Sequence, residues 1–279
     1  MNQQLQAPYF RKVDIARRVK GLHDGYFNVV GNEQRRLGIN FDHIYNEYIY
    51  PELGIQLVED VDLGYDESGE KILGLFQPNE NIAFIDRMLK QTDDPRRTFT
   101  CWHEVGGHGI LQGEWLRTQL AVDDRYDSIV TTAQTLSPKV EGVLEVQANI
   151  FAGLAAAPDW LVDHAIMTMF RLSRPKRYVG SQRYSFDVLG TTYTRHVSSF
   201  DEFCQQIARP IQRFFGRLSV EALGYRVAES RCVFDATKTR MPPNGFSLRR
   251  TARPQTSSSY GGCRLQVEFS NVVSELSLR

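Results

Sequence analysis

Two histidines and two glutamates carry most of the chemistry to be expected of this chain. His103 and His108 bracket Glu104 in the stretch Trp102-His-Glu-Val-Gly-Gly-His108. Imidazoles one helical turn apart on one face hold a metal ion, and a glutamate beside the first of them acts on a water at that ion. The zinc-peptidase helix motif spaces its histidines by four residues; here the spacing is five, because Gly106 and Gly107 stand where one residue is expected. On a regular helix a four-residue step turns about 40° and a five-residue step about 140°, which would splay the two rings. A π-bulge absorbs one residue and returns both rings to one face, and glycines lower its cost in side-chain crowding. The metal reading therefore predicts a bulged helix at Gly106-Gly107. In a regular helix His108 would point away and the reading would fail.

Catalytic zinc takes three protein ligands and leaves a position to water. Glu145 is the candidate third ligand, in the run Glu145-Val-Gln-Ala-Asn149. Asn149 lies one turn further on, where it can orient a ligand imidazole from behind. The competing reading of Glu145 is an exposed or salt-bridged carboxylate. Cys101 points off the histidine face and reads as a small core residue, and His164 as structural or solvent-facing.

Both motifs need long helices to aim them. Asp94-Pro95 supplies an N-cap and a first-turn proline for a helix over 96–111. Ser137-Pro138 repeats the device for a second, whose apolar positions run from Val140 to Leu154 before Pro158 stops it. Upstream, Val13, Ala16 and Val19 mark a helix over 11–30 ended by Gly31-Asn32, and another covers 41–50, stopped by Pro51. Short apolar runs at 54–58, 72–76 and 81–86, with Pro78-Asn79-Glu80 as a hairpin connection, predict a small, mostly antiparallel sheet. Residues 113–136 read as part helix and part loop, and 160–172 as a further apolar helix.

After residue 173 come a basic turn at 174–177, strand character over 184–194, and a helix pair at 203–215 and 220–233. Ser219 caps the second helix, and Pro210 either kinks the first or marks its true start. From Met241 onward Pro, Gly, Ser and Arg accumulate, with a candidate edge strand at 263–269. The expected fold class is α+β: a catalytic domain over 1–172, a C-terminal helical region over 173–236, and a basic, mobile tail over 237–279.

A chain of 279 residues with 42% apolar content can bury a full core. No apolar run is long enough to span a membrane. Residues 1–8 lack the pattern of a secretory signal, and the four cysteines are scattered, which points to a cytoplasmic protein with reduced thiols. Net charge is zero, yet residues 1–170 hold 15 Lys/Arg against 25 Asp/Glu and the remainder holds 18 against 8. The two halves either attract each other within one molecule, or the basic one meets nucleic acid or an acidic partner.

The stretch Arg97-Thr-Phe-Thr-Cys-Trp-His-Glu-Val-Gly-Gly-His108 resembles the Arg-x-Phe-Thr-x-x-His-Glu-x-Gly-His signature of the ImmA/IrrE-type metallopeptidases. Glu145-Val-Gln-Ala-Asn-Ile-Phe-Ala-Gly-Leu-Ala-Ala-Ala-Pro158 resembles that family's second motif, Glu-x-x-Ala-Asn-x-Phe-Ala-x-x-Leu-x-x-Pro, with one extra residue before the proline. The likeness extends over about residues 10–235. It implies a zincin-like fold and a cytoplasmic zinc peptidase of gluzincin type that cleaves a helix-turn-helix transcriptional repressor. The implied ligands are His103, His108 and Glu145, with Glu104 as general base. Two other readings stay open: an inactive peptidase fold that binds a regulator, and a DNA-associated regulator using Arg209, Arg213, Arg217, Arg226 and Arg231.

Overall fold

Helix α1 (Lys12–Val30) presents Ile15, Val19, Leu22, Tyr26 and Phe27 on one buried stripe, and Gly31, at positive φ, closes its last turn with an N–H bond to Phe27. In the computed structural model, residues 7–31, 38–66, 68–92, 94–120 and 138–238 are described. The Ser137 cap, the Asn32 stop, residues 121–136 and the segment from 239 onward, including the strand expected at 263–269, lie outside them.

Helix α2 is α-helical over Phe41–Ile44 and π-helical over Tyr45–Leu53. Pro51, expected to stop it, sits inside, and the helix ends instead at left-handed Gly54. A proline ring clashes with the carbonyl four residues back in a tight helix, and the wider π-turn relieves that clash.

The sheet is mixed rather than mostly antiparallel. Strands β1 (Gln56–Val61), β2 (Gly74–Gln77) and β3 (Ile82–Asp86) stand in the order β1-β3-β2. β2 and β3 form the expected hairpin, but β1 runs parallel to β3, with Gln56 opposite Ile82. The chain between Val61 and Gly74 is too long for a tight hairpin, so β3 can enter between its two predecessors. Phe76, Ala83 and Ile85 are fully buried beneath the helices. Asp86 ends β3 and accepts from Met88 N to cap helix α3 (Arg87–Gln91), while Lys71 neutralises its carboxylate at 2.8 Å.

Helix α4 is α-helical over Arg96–Cys101 and π-helical over Trp102–Leu111. Asp94 Oδ1 accepts from Arg96 N at 2.8 Å and caps it as expected. Helices α5 (Gly113–Leu120), α6 (Pro138–Ala156) and α7 (Asp159–Phe170) follow, with Pro158 separating the last two. α6 packs against both α4 and α1, and α4 also packs against β2 and β3 of the sheet.

His23 of α1 is buried at this α1–α6 contact, edge-on to Trp102 at 6.4 Å, and donates to the Ala155 carbonyl. Burial pushes its pKa down to about 4. The fold thus favours the neutral ring. Its contribution is complete above the unfolded value of about 6.5 and is lost as pH falls toward 4. Urea unfolding in excess chelator is expected to show the native chain losing about 3 kcal/mol more than His23→Gln between pH 7 and pH 4. Equal losses would contradict a neutral buried ring.

The remainder holds strands that the sequence only partly signalled. β4 (Lys176–Tyr178) pairs in parallel with the distant β7 (Val233–Asp235), where the second helix of the pair was expected to end. β5 (Gln182–Val188) and β6 (Thr191–Val197) form a hairpin. Leu189 and Gly190 both have positive φ, as a two-residue turn matched to strand twist requires. Helix α8 (Phe200–Ile211) starts at the Ser199 cap, so Pro210 does not mark its start; it sits in the last turn, before a 3₁₀ turn over Gln212–Phe215. Helix α9 (Val220–Glu229) is capped by Ser219, as expected, and stops four residues short of 233.

Arg226 is buried, paired with Asp159 and Glu229, and donates to the Ala157 carbonyl at 3.0 Å, so it is a structural tie and not a nucleic-acid contact. Cys101, Cys204 and Cys232 are free and buried, and His164 is half-buried. No helix among the described residues is long and apolar enough to cross a membrane.

Candidate metal centre

The widened turns of α4 put His103 and His108 on one face. Their Nε2 atoms lie 3.0 Å apart. Glu145, reaching across from α6, sets one oxygen 3.1 Å from His103 Nε2 and the other 3.2 Å from His108 Nε2. A tetrahedral ion with bonds of 2.0–2.1 Å needs ligand atoms about 3.3–3.4 Å apart, so this triangle is close to the required size. Among the described residues these three form a group able to hold a metal ion.

The back of each ring is fixed by an amide. Asn149 Oδ1 faces His103 Nδ1 at 3.1 Å, as the run from Glu145 to Asn149 suggested. Gln112 Oε1 faces His108 Nδ1 at 2.9 Å, and Gln112 Nε2 donates to the Leu144 carbonyl at 2.8 Å. Because the Gln112 amide must donate to Leu144, its oxygen is the atom left for the ring, and Nδ1 of His108 carries the proton. Both Nε2 lone pairs then face the Glu145 carboxylate, an arrangement that calls for a cation, whether proton or metal, between them. The role of Gln112 was missed in the sequence. The available signal was an amide one turn after a candidate ligand, the relation Asn149 bears to Glu145.

The two glycines do more than loosen a helix. A Cβ on Gly106 would lie 2.4 Å from the Phe151 ring, and one on Gly107 would lie 2.5 Å from Cα and Cβ of Ala148. They let α4 and α6 approach closely enough for Glu145 to reach both imidazoles. Arg97 anchors the start of α4, with Nε and Nη2 on the Glu59 carboxylate at 2.6 and 2.9 Å and Nη2 on Asp42 at 2.7 Å. Cys101 faces the core, away from the cluster.

Glu104 is buried beneath β2, where a Cβ on Gly74 would come within 2.5 Å of its Oε1. Burial raises its pKa above the usual glutamate range, and the fields of His108 and His103 offset this only in part. Burial acts on Glu145 in the same direction, but its contacts with His103 and His108 prevail and hold it well below that range. In His108 burial opposes the charged form, yet the bond to Glu145 and the field of Glu104 outweigh it and raise the pKa. The surroundings thus drive the two carboxyl groups apart, Glu145 toward the ionised form and Glu104 toward the protonated one.

Comparison with protein-family models and with curated proteins finds no match.

Proposed function

We propose that this chain is a zinc-dependent endopeptidase of the ImmA/IrrE type with a zincin-like fold. The observation that carries the reading is the convergence of His103 Nε2, His108 Nε2 and Glu145 within hydrogen-bond distance of one another, each ring backed by an amide, beside a buried Glu104. Two imidazoles and a carboxylate are a donor set that suits zinc.

Held by His103, His108 and Glu145, zinc would supply Lewis acidity toward a water and a scissile carbonyl. Glu104, buried beside the three converging residues, would take a proton from the attacking water and pass it to the leaving amine. Asn149 and Gln112 keep the lone pairs of His103 and His108 turned inward. β2 has no partner on its outer edge among the described strands and passes over Glu104, so its backbone can receive an extended peptide as an added strand. A helix-turn-helix repressor, cleaved in the cytoplasm, is the substrate class the motif likeness favours.

Metal analysis and proteolysis test this together. The purified chain is expected to carry zinc at a ratio of about one, to lose it in Glu145→Ala, and to cleave a co-encoded repressor only in the zinc-loaded form. Zinc retained in Glu145→Ala would sink the ligand assignment. Stoichiometric zinc with tight repressor binding but no cleavage would move the function to sequestration.

A further inference from the structure

The basic excess of the second half of the chain is only partly neutralised inside the fold. Of the five arginines considered as nucleic-acid contacts, Arg226 is buried against Asp159, Arg231 pairs with Asp163 at 2.7 Å, and Arg217 also has a partner. Arg209 and Arg213 are exposed, and no ion pair engages either among the described residues.

The fold gathers further guanidinium groups beside these two. The Tyr193 hydroxyl on β6 donates to the Gln206 carbonyl at 3.0 Å and holds the β5–β6 hairpin against the end of α8. Arg195, two residues on from Tyr193, and Arg209, one turn on from Gln206, both exert their field on that phenol. Arg213, one turn further, lies over the Phe214 ring and reaches Met169 Sδ at 3.0 Å. The Met169 carbonyl accepts from Leu189 N in the hairpin turn, and Arg171 follows at the left-handed end of α7. Arg171, Arg195, Arg209 and Arg213 therefore line the seam between the hairpin and the ends of α7 and α8. All four are exposed, and none is ion-paired among the described residues. Asp187, the carboxylate of the turn, accepts from Gly190 N and lies in the field of Lys176. Thr191 and Thr192 add exposed residues with hydroxyls at the tip.

Arginine forks match phosphate oxygens, and arginine and threonine side chains are among the groups that grip a nucleic-acid backbone. Reading of bases by the helix pair is excluded by α9. The exposed positions of this second helix are Glu221, Tyr225 and Glu229, and its Arg226 is turned into the core. Two carboxylates on its outer face would be repelled from a groove. Single strands are held by stacking on open aromatic faces, whereas at the seam Tyr193 is half-buried with its hydroxyl engaged and Phe214 is covered by Arg213.

We propose that this seam binds the phosphate backbone of duplex DNA without reading its sequence. The wider half contributes a field of the same sign, with 18 Lys/Arg against 8 Asp/Glu over 171–279. Such binding does not use the metal centre and holds whether or not the chain hydrolyses peptides.

The test is fluorescence anisotropy of the full chain with two unrelated DNA duplexes of equal length over a range of salt. Both are expected to bind equally, with log affinity falling linearly in log salt at a slope of about −3 to −4, the value for four phosphate contacts. Arg195→Gln and Arg209→Gln are each expected to weaken binding several-fold on both duplexes and to reduce the steepness of the slope by about one. Arg17→Gln on α1 removes the same charge from an exposed site and should leave binding unchanged. All three side chains are exposed, and thermal unfolding checks that each variant folds. No duplex binding at low salt, losses matched by Arg17→Gln, or an affinity untouched by both seam variants overturns the proposal. A marked preference for one duplex overturns binding through the backbone alone. An oligoglutamate of equal charge that displaces the duplex at equal concentration overturns the DNA assignment and gives the seam to an acidic protein.

Discussion

Glu104→Gln is expected to leave zinc bound and to lower kcat/KM for peptide hydrolysis by about 10²- to 10⁴-fold, the range that a positioned proton carrier contributes. Glu104 is not among the three converging ligands, so the metal should stay. It is buried against Gly74, so an isosteric amide fits where a larger group would not. Burial of a carboxylate opposes its charged form, so the amide should also fold at least as well as the native residue. Zinc content, thermal unfolding and steady-state kinetics on one preparation separate the effects. Hydrolysis at the native rate with zinc in place would remove Glu104 from the chemistry.

Gly107→Ala is the second large effect, and its sign is opposite to helix propensity. In an exposed helix the change is worth up to about 1 kcal/mol of stabilisation. Here the new methyl would lie 2.5 Å from both Cα and Cβ of Ala148, on backbone that cannot turn aside. Such overpacking costs about 1–3 kcal/mol. Relief by separating α4 from α6 would carry Glu145 away from His103 and His108. The expectation is a net loss of stability together with a fall in zinc affinity of about 10- to 100-fold, as when the support of a ligand is disturbed. Gly142→Ala, on α6 with nothing within 4 Å of its added Cβ, is the control and should stabilise. If both substitutions stabilise and both proteins keep zinc, the close approach of the helices is not what holds the site.

The long helices and the site were legible because their signals are local. Asp94-Pro95 marked the start of α4, and apolar spacing with Pro158 marked the course and end of α6. The five-residue step from His103 to His108 already demanded a widened turn if the rings were to meet, and that turn is present. The pairing of β1 with β3 was hidden because period and turn residues identify strands without stating which neighbour each takes. β4 and β7 are three residues each and far apart in the chain, too short to leave a pattern. The turn between β5 and β6 uses Leu189-Gly190 in place of the Asn-Gly or Asp-Gly that usually announces it. Pro51 misled because a proline is tolerated where the helix around it is already wide.

The packing role of Gly106 and Gly107 was out of reach for a different reason. A sequence reports that a residue is small, but not what lies 2.5 Å away on another helix.

The widened turns of α4 bear on how such sites change over generations. Inserting one residue into a regular helix rotates everything downstream by about 100°, which would turn Leu111 out of the core and His108 away from His103. In α4 the extra residue is taken up within the turns themselves. Leu111 stays buried, His108 still meets His103, and upstream Trp102 remains in the core. A helix that aims side chains at one point can therefore gain a residue without any compensating change at either end. What such a helix must preserve is the direction of its ligands rather than the number of residues between them, and a motif counted in residues will pass over chains that satisfy it in angle.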